Sequence, residues 1–536
     1  MVQENDISYI VKVIQNIDSR LKRIENELSI RQYEPDEEIK QPEIPTENKP
    51  LDEEIEFRFG QRWFAKFGII AFLLAVINLI ILPITQISST IILIIGALIG
   101  TTLIFSPIFI SKSIKDLSAY LFGSGIIILY FSALKLHYFT TTPIFDNLNF
   151  VLIHLYAIAF VALGYSINKR FQYLTSLSFI LFELNSLFSN SAFLVLVTIL
   201  GLSLLSVLLS RRFNWDGLLN ISLIINYLTQ LIWFINNPLL GNQIIIDPMK
   251  SYSAIITLFM VAIYGFGRVK EFEYEINEGF AITRSIFNSL ISSTLIFFLV
   301  QKLSVNFLFI TSIILALLFI SIAAYHYILI KSKIATFIYS MAGYIALSIG
   351  IISFFDTPHN FVLLCWQSVL VVSTALWFRS KFIVVANIFI FVLILFANFL
   401  SGNGFNASSL NFGIVALISA RIINWQKSRL GLETQNIRNS YLIIATIINP
   451  IVLYHILPGQ FVGLAWIGLA FLYYVLGKIL VNKKYRLMST FTLILALIYS
   501  LIFGLTAGEP LFKIISFAIV SISLILMSII YSKLKE

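Results

Sequence analysis

The hydrophobic positions change rhythm twice along the chain. Between residues 1 and 30, Ile7, Ile10, Ile14, Ile17, Leu21, Ile24 and Leu28 recur with spacing 3-4-3-4-3-4. That is the a/d seam of a short coiled coil, with Asp18, Arg20, Lys22, Arg23, Glu25 and Glu27 on the other faces. A helix of this length is marginal alone, so its seam calls for a partner, most simply the same segment of a second copy. A helix lying on the membrane or on the chain's own loops would use the same stripe. From residue 31 to 56 the pattern vanishes. Pro35, Pro42, Pro45 and Pro50 sit among acidic residues, which predicts a disordered linker repelled by an anionic leaflet.

From residue 57 on, apolar runs follow one another at the length of a membrane-spanning helix, about 20 residues. Eighteen are expected: 67–85, 90–110, 116–136, 149–167, 171–188, 191–209, 216–235, 248–267, 283–300, 304–329, 334–355, 359–378, 382–400, 408–424, 440–457, 459–481, 487–507 and 510–531. The predicted fold class is therefore all-α: a polytopic helical membrane protein behind an N-terminal coiled-coil helix. The first 60 residues have no early apolar core, so no cleavable signal is expected and the first span serves as the insertion signal.

Charge tests this count. Put the N-terminus in the cytoplasm. Loops then assigned inside carry 26 Lys and Arg beyond residue 56, and those outside carry four: Lys135, Lys250, Lys302 and Lys513. Every second loop is basic without a break, which fixes an even number of spans and both termini inside. The short basic turns, such as Lys169-Arg170, Lys331-Ser332-Lys333 and Arg379-Ser380-Lys381, close eight hairpins between the first and last spans. They recur every ~53 residues, within the range of repeat arrays. Two copies look alike: Trp366 begins a helix that reaches Arg379-Ser380-Lys381-Phe382, and Trp466 begins one that reaches Lys478 and then Lys483-Lys484-Tyr485-Arg486.

Composition agrees. The chain has 536 residues, 58% hydrophobic and only 12% charged, with mean hydropathy +0.88. Too few charges remain to cover a soluble domain. The net charge of +9 lies in the inner turns rather than on one soluble face, so it points to the lipid bilayer and not to nucleic acid. One cysteine, Cys365, excludes an internal disulfide.

The two ends carry a likeness. Phe59-Gly60-Gln61-Arg62-Trp63 opens the first span, with Lys66-Phe67-Gly68 behind it. Pro510-Leu511-Phe512-Lys513-Ile514-Ile515-Ser516-Phe517 leads into the last, followed by Ile530-Tyr531-Ser532-Lys533. In these motifs, and in its layout of heptad helix, Pro/Glu linker and serial hairpins, the chain resembles the bacterial membrane proteins grouped as the "domain of unknown function 2339" family. That resemblance implies an inner-membrane protein with a coiled-coil N-terminus and carries no activity. This chain is richer in Ile and Phe than the family pattern.

Candidate chemistry is sparse. Glu183 is the clearest intramembrane charge, roughly 18 Å from the basic end of its helix at 1.5 Å per residue. Charges in lipid are costly and mark function. Asn185 follows it, and His154, Asn226, Gln230 and His455 stand at similar depth. Together they form a candidate polar cluster in an outward-facing cavity, or a hydrogen-bonded joint between helices. The histidines (137, 154, 326, 359, 455) form no metal-ligand spacing, so no metal and no cofactor are expected. Asn449-Pro450 interrupts one span. Gly96/Gly100 and Gly459/Gly463 have the GxxxG spacing of close helix contact. In the inner loop from Arg268, Glu271, Glu273 and Glu275 alternate with Phe272, Tyr274 and Ile276, as in a short strand or interfacial segment.

Three functions remain in view. The first is a non-enzymatic transport, assembly or scaffold component of the cell envelope that self-associates through residues 1–30. The second is a carrier or flippase for a hydrophobic or lipid-linked ligand, working through Glu183. The third is a membrane-embedded transferase, which ranks last because the outer loops hold few acids.

Overall fold

The computed structural model describes residues 65–81, 88–109, 115–139, 143–246, 248–267, 278–301, 305–403, 405–425 and 434–506, with a few isolated positions between 518 and 525. The coiled-coil seam, the acidic linker, the alternating stretch 268–277 and most of the last expected span lie outside these residues. The chain divides into two compact units, Met1–Ala71 and Phe72–Glu536. Of the first, only the opening turns of one helix are described; the account below concerns the second.

The described residues form 17 α-helices. They are α1 (Ala65–Ile81), α2 (Ser89–Phe109), α3 (Lys115–Leu134), α4 (Leu148–Lys169), α5 (Gln172–Phe188), α6 (Ala192–Phe213), α7 (Asp216–Phe234), α8 (Ala254–Phe266), α9 (Glu278–Val300), α10 (Val305–Tyr325), α11 (Lys333–Phe354), α12 (His359–Trp377), α13 (Lys381–Asn398), α14 (Leu410–Trp425), α15 (Thr434–Ile456), α16 (Gly459–Ile479) and α17 (Lys483–Thr506). Each answers to one expected span. Fourteen spans are long and apolar enough to cross a bilayer. Three helices fall short of that test: α1, α3 and α5. Trp366 and Trp466 do not begin their helices, which start seven residues earlier at His359 and Gly459. Pro450 stays inside α15, and its carbonyl accepts a hydrogen bond from Trp466 Nε1 at 3.0 Å.

The helices pack as the hairpins that the basic turns define. α2 lies along α3, α4 along α5, and so on to α16 along α17. Five of these turns share one backbone solution: a single left-handed residue, then one residue before the next helix. The left-handed residues are Arg170, Asn214, Lys331, Arg379 and Val481, with φ of 58°, 57°, 58°, 51° and 48°. In four turns the next amide reaches back five residues to a helix carbonyl: Phe171 to Ser166, Trp215 to Ser210, Ser380 to Ala375 and Asn482 to Gly477. This is the usual close of a helix, normally made by glycine. At the opposite end, Lys135, 1% exposed, donates to the Ile80 carbonyl in the last turn of α1.

Glycine spacing sets the closest approach. A methyl group on Gly100 would lie 2.8 Å from Leu129, and one on Gly125 would lie 2.7 Å from the Gly100 carbonyl. The GxxxG pair of α2 therefore does bring α2 and α3 together.

Successive hairpins are joined by a repeated hydrogen bond between asparagine and tyrosine. Tyr130 donates to Asn185 (2.8 Å) and Tyr227 to Asn288 (2.8 Å). Asn288 donates to Tyr339 (3.2 Å), and Asn387 to Tyr441 (2.9 Å). All four join second helices of neighbouring hairpins, and the partners are 55, 61, 51 and 54 residues apart. Two more, Asn226 to Tyr264 and Asn449 to Tyr473, both 2.9 Å, join a second helix to the next first helix. All six tyrosines are less than 2% exposed.

Two stability outcomes follow. Val481 is 90% exposed yet left-handed, so Val481→Gly loses no packing and relieves backbone strain. It is expected to stabilise the detergent-solubilised protein by about 1 kcal/mol, read as a higher thermal midpoint. Asn288→Leu strips both Tyr227 and Tyr339 of their partner. It is expected to cost about 1–3 kcal/mol and lower the midpoint, whereas Asn78→Leu, whose amide bonds only its own helix, is expected to leave it unchanged.

Candidate functional site

Glu183 sits eleven residues into α5, a 17-residue helix with eleven residues buried. At 1.5 Å per residue, α5 spans roughly 25 Å, less than the ~30 Å hydrocarbon core. Six of its residues are buried serine, threonine, asparagine or glutamate: Thr175, Ser176, Ser178, Glu183, Asn185 and Ser186. Such a helix is poorly suited to lipid and well suited to a protein shell. It packs against α4, α6 and α7.

The Glu183 side chain is 2% exposed. Thr229 on α7 faces the carboxyl, and the Tyr156 (α4) and Tyr264 (α8) hydroxyls lie within electrostatic reach. No cation is among these neighbours. Neither Oε1 nor Oε2 has a hydrogen-bond partner of good geometry, and three further buried groups are also left over: Asn185 Nδ2, Asn226 Oδ1 and the Tyr156 hydroxyl. A buried polar group without a partner is costly and calls for a reason.

The other expected members divide. Asn226 belongs to the group through Tyr264. Its amide donates to the Tyr264 hydroxyl and, at 3.1 Å, to the Ile199 carbonyl, while Ser222 meets the same hydroxyl at 2.9 Å. Asn185, two residues beyond Glu183, accepts from Tyr130 at 2.8 Å. Gln230 turns away toward α8, where its amide donates to the Ser253 carbonyl (2.9 Å) and Thr257 (2.8 Å). His154 is exposed, with Nδ1 on the Phe150 carbonyl of its own helix. His455, also exposed, lies flat on Phe405 at 4.0 Å with Nδ1 on the Ile451 carbonyl. Neither histidine's contacts reach the carboxyl.

Thr229, Tyr156 and Tyr264 are the members that sequence reasoning missed. In an apolar run, Tyr and Thr read as ordinary packing residues. Their only signal was the polar density of α7, where Asn220, Ser222, Asn226, Thr229 and Gln230 are all buried.

A second polar set lies toward the basic ends. Arg284 on α9, 5% exposed, meets Asp216 at the start of α7 at 3.8 Å. His326 Nε2 lies 3.1 Å from the Gly265 carbonyl, with its ring 5.2 Å from Tyr339. Among the described residues no three His, Cys, Asp or Glu side chains gather.

The Glu183 carboxyl can hold a proton. No family model, curated protein or solved structure matches the chain.

Proposed function

We propose that this multi-pass membrane protein is a carrier or flippase for a lipidic or hydrophobic solute, with Glu183 taking up and releasing either a proton or the solute's polar head. The observation that supports this is the buried, unpartnered carboxyl of α5 at the junction of the second and third hairpins. Intramembrane acids are kept at a cost, and such cost is characteristic of substrate and proton sites. The likeness of its ends to the "domain of unknown function 2339" family and the basic turns support a place in the bacterial cytoplasmic membrane, with both termini on the cytoplasmic side.

Stability and transport should separate at this residue. Glu183→Leu removes an unsatisfied group and is expected to leave the thermal midpoint unchanged or raise it. In vesicles holding the full chain and fluorescently labelled phosphatidylglycerol, Glu183→Gln is expected to slow movement of the label between leaflets by about tenfold, or about 1.4 kcal/mol on the barrier. Unchanged movement, with Glu183→Leu markedly destabilised, would make the residue a structural joint and end the carrier reading.

The heptad seam of residues 1–30 supports a second reading, a self-associating scaffold or assembly component. Deleting 1–30 is expected to reduce the particle mass in detergent, measured by light scattering. An unchanged mass rules out association through this segment.

A further inference from the structure

The Asn–Tyr bond is missing between the fifth hairpin (α10/α11) and the sixth (α12/α13). There α11 meets α12 through a bond between the Tyr344 and Thr374 hydroxyls, through Ser348, which donates to Gln367 Oε1 at 3.1 Å, and through Gln367 Nε2, which donates to the Tyr344 carbonyl at 2.8 Å. α11 also touches α13 along this seam. Two cavities open along this seam.

The upper one, about 450 Å³, lies at the basic end. Lys333, Arg379 and Lys381 line it, together with aromatic rings that include Phe337 and Phe382. No acidic residue lines it. Lys381 Nζ lies 5.7 Å above the Phe382 ring, which meets Phe337 edge-on at 6.3 Å. The lower one, about 300 Å³, begins one turn deeper on α11 at Met341. Its exposed wall is mainly aliphatic, from Ile345, Ile352, Ile390 and Ile394, with Ser348, Gln367 and Asn387, which are hydrogen-bonded to neighbouring helices, among the rest. From Lys381 to Ile394 is thirteen residues, or roughly 20 Å of helix. That compares with about 15 Å for one leaflet's hydrocarbon, half of a core about 30 Å thick.

We propose that this seam binds one anionic phospholipid, with its phosphate among Lys333, Arg379 and Lys381 and an acyl chain in the cavity below. Charge selects the head: three cations with no acid among them favour a phosphate over a zwitterion, and basic pockets between membrane helices are known to hold such heads. The lower cavity selects the tail, because apolar walls favour hydrocarbon over water. The two cavities share α11 and α13, in the order head, then tail. This inference is independent of the carrier reading, because it concerns occupancy and requires no movement of lipid.

The test is native mass spectrometry of the full chain in detergent, titrated with dioleoyl-phosphatidylglycerol, dioleoyl-phosphatidylcholine, dihexanoyl-phosphatidylglycerol or inorganic phosphate. The expected result is one saturable dioleoyl-phosphatidylglycerol, with phosphatidylcholine and inorganic phosphate failing to displace it. Lys333→Gln, Arg379→Gln and Lys381→Gln together should weaken it about a hundredfold, through the loss of three charges at a membrane surface. The same exchange at Lys169, Arg170 and Arg212 changes net charge equally and should leave binding intact. Ile390→Trp fills the lower cavity from a partly exposed position. It should weaken the dioleoyl lipid and spare the dihexanoyl one. Equal loss in the control triple, or equal binding of phosphatidylcholine, overturns the site. Displacement by inorganic phosphate, or indifference to Ile390→Trp, overturns the lipid and leaves a phosphate pocket.

Discussion

Within hydrocarbon every backbone donor and acceptor must be satisfied inside the segment that carries it, and this makes each span a helix. The same solvent removes the force that joins helices in water, since lipid tails are as apolar as leucine. Association then rests on close packing and on polar side chains that have nowhere else to turn. Asparagine and tyrosine suit this need. The amide offers a donor and an acceptor without charge, and Asn288 uses both, receiving from Tyr227 and giving to Tyr339. Tyrosine brings a large apolar ring to fill the interface and one hydroxyl to close the bond. Measured bonds of this kind are worth about 0.6–2 kcal/mol each, so no single one holds the bundle together. Their value lies in recurrence at about one hairpin's length, which fixes the height at which each hairpin meets the next. Gly413 shows how tightly this is fitted: any side chain there would occupy the place of the Asn449 amide that bonds Tyr473.

The pattern is as informative where it stops. Asn–Tyr bonds join hairpins one to two, three to four, four to five, six to seven and seven to eight. Neither remaining junction has one among the described residues. At the second junction stands Glu183, a carboxyl facing hydroxyls it does not properly engage. At the fifth lie the two cavities. Other hydrogen bonds close these junctions: Asn237 Nδ2 donates to the Leu187 carbonyl at the second, and Ser348 and Gln367 join the helices at the fifth. Bond and cavity are not exclusive, however: a further cavity of about 490 Å³ lies between α15 and α17, where the Asn449–Tyr473 bond is present.

Much of this architecture could be read from residues. Apolar length and the alternation of Lys and Arg located all 17 described helices and the pairing of α2–α17 into eight hairpins, because both signals depend only on position along the chain. Turn geometry was hidden: Arg170, Lys331, Arg379 and Val481 are not glycine, and nothing in their side chains announces a left-handed backbone. The site was half legible for a reason of geometry. Rise per residue gives the depth of a side chain but says nothing of the direction it faces across the bundle. Glu183 and Asn226 agree in depth and also in facing. His154 and His455 agree in depth alone, and their helices turn them outward to Phe150 and Phe405.

The seventeen residues of α5 connect these points. An average span places much of its surface on lipid: α2 has few buried side chains, and large ones such as Phe105 and Leu98 are well exposed. In α5 eleven of seventeen are inside. A short, serine-rich helix would drive Glu183 into hydrocarbon if it stood at the rim. Surrounded by α4, α6 and α7, it can carry the carboxyl at a cost borne by its neighbours' packing. The length of the helix, its polar face and the isolation of its carboxyl are therefore one feature. A chain selected only for stability would have replaced Glu183 by an apolar residue, because the surrounding shell gives its carboxyl no hydrogen bond of good geometry.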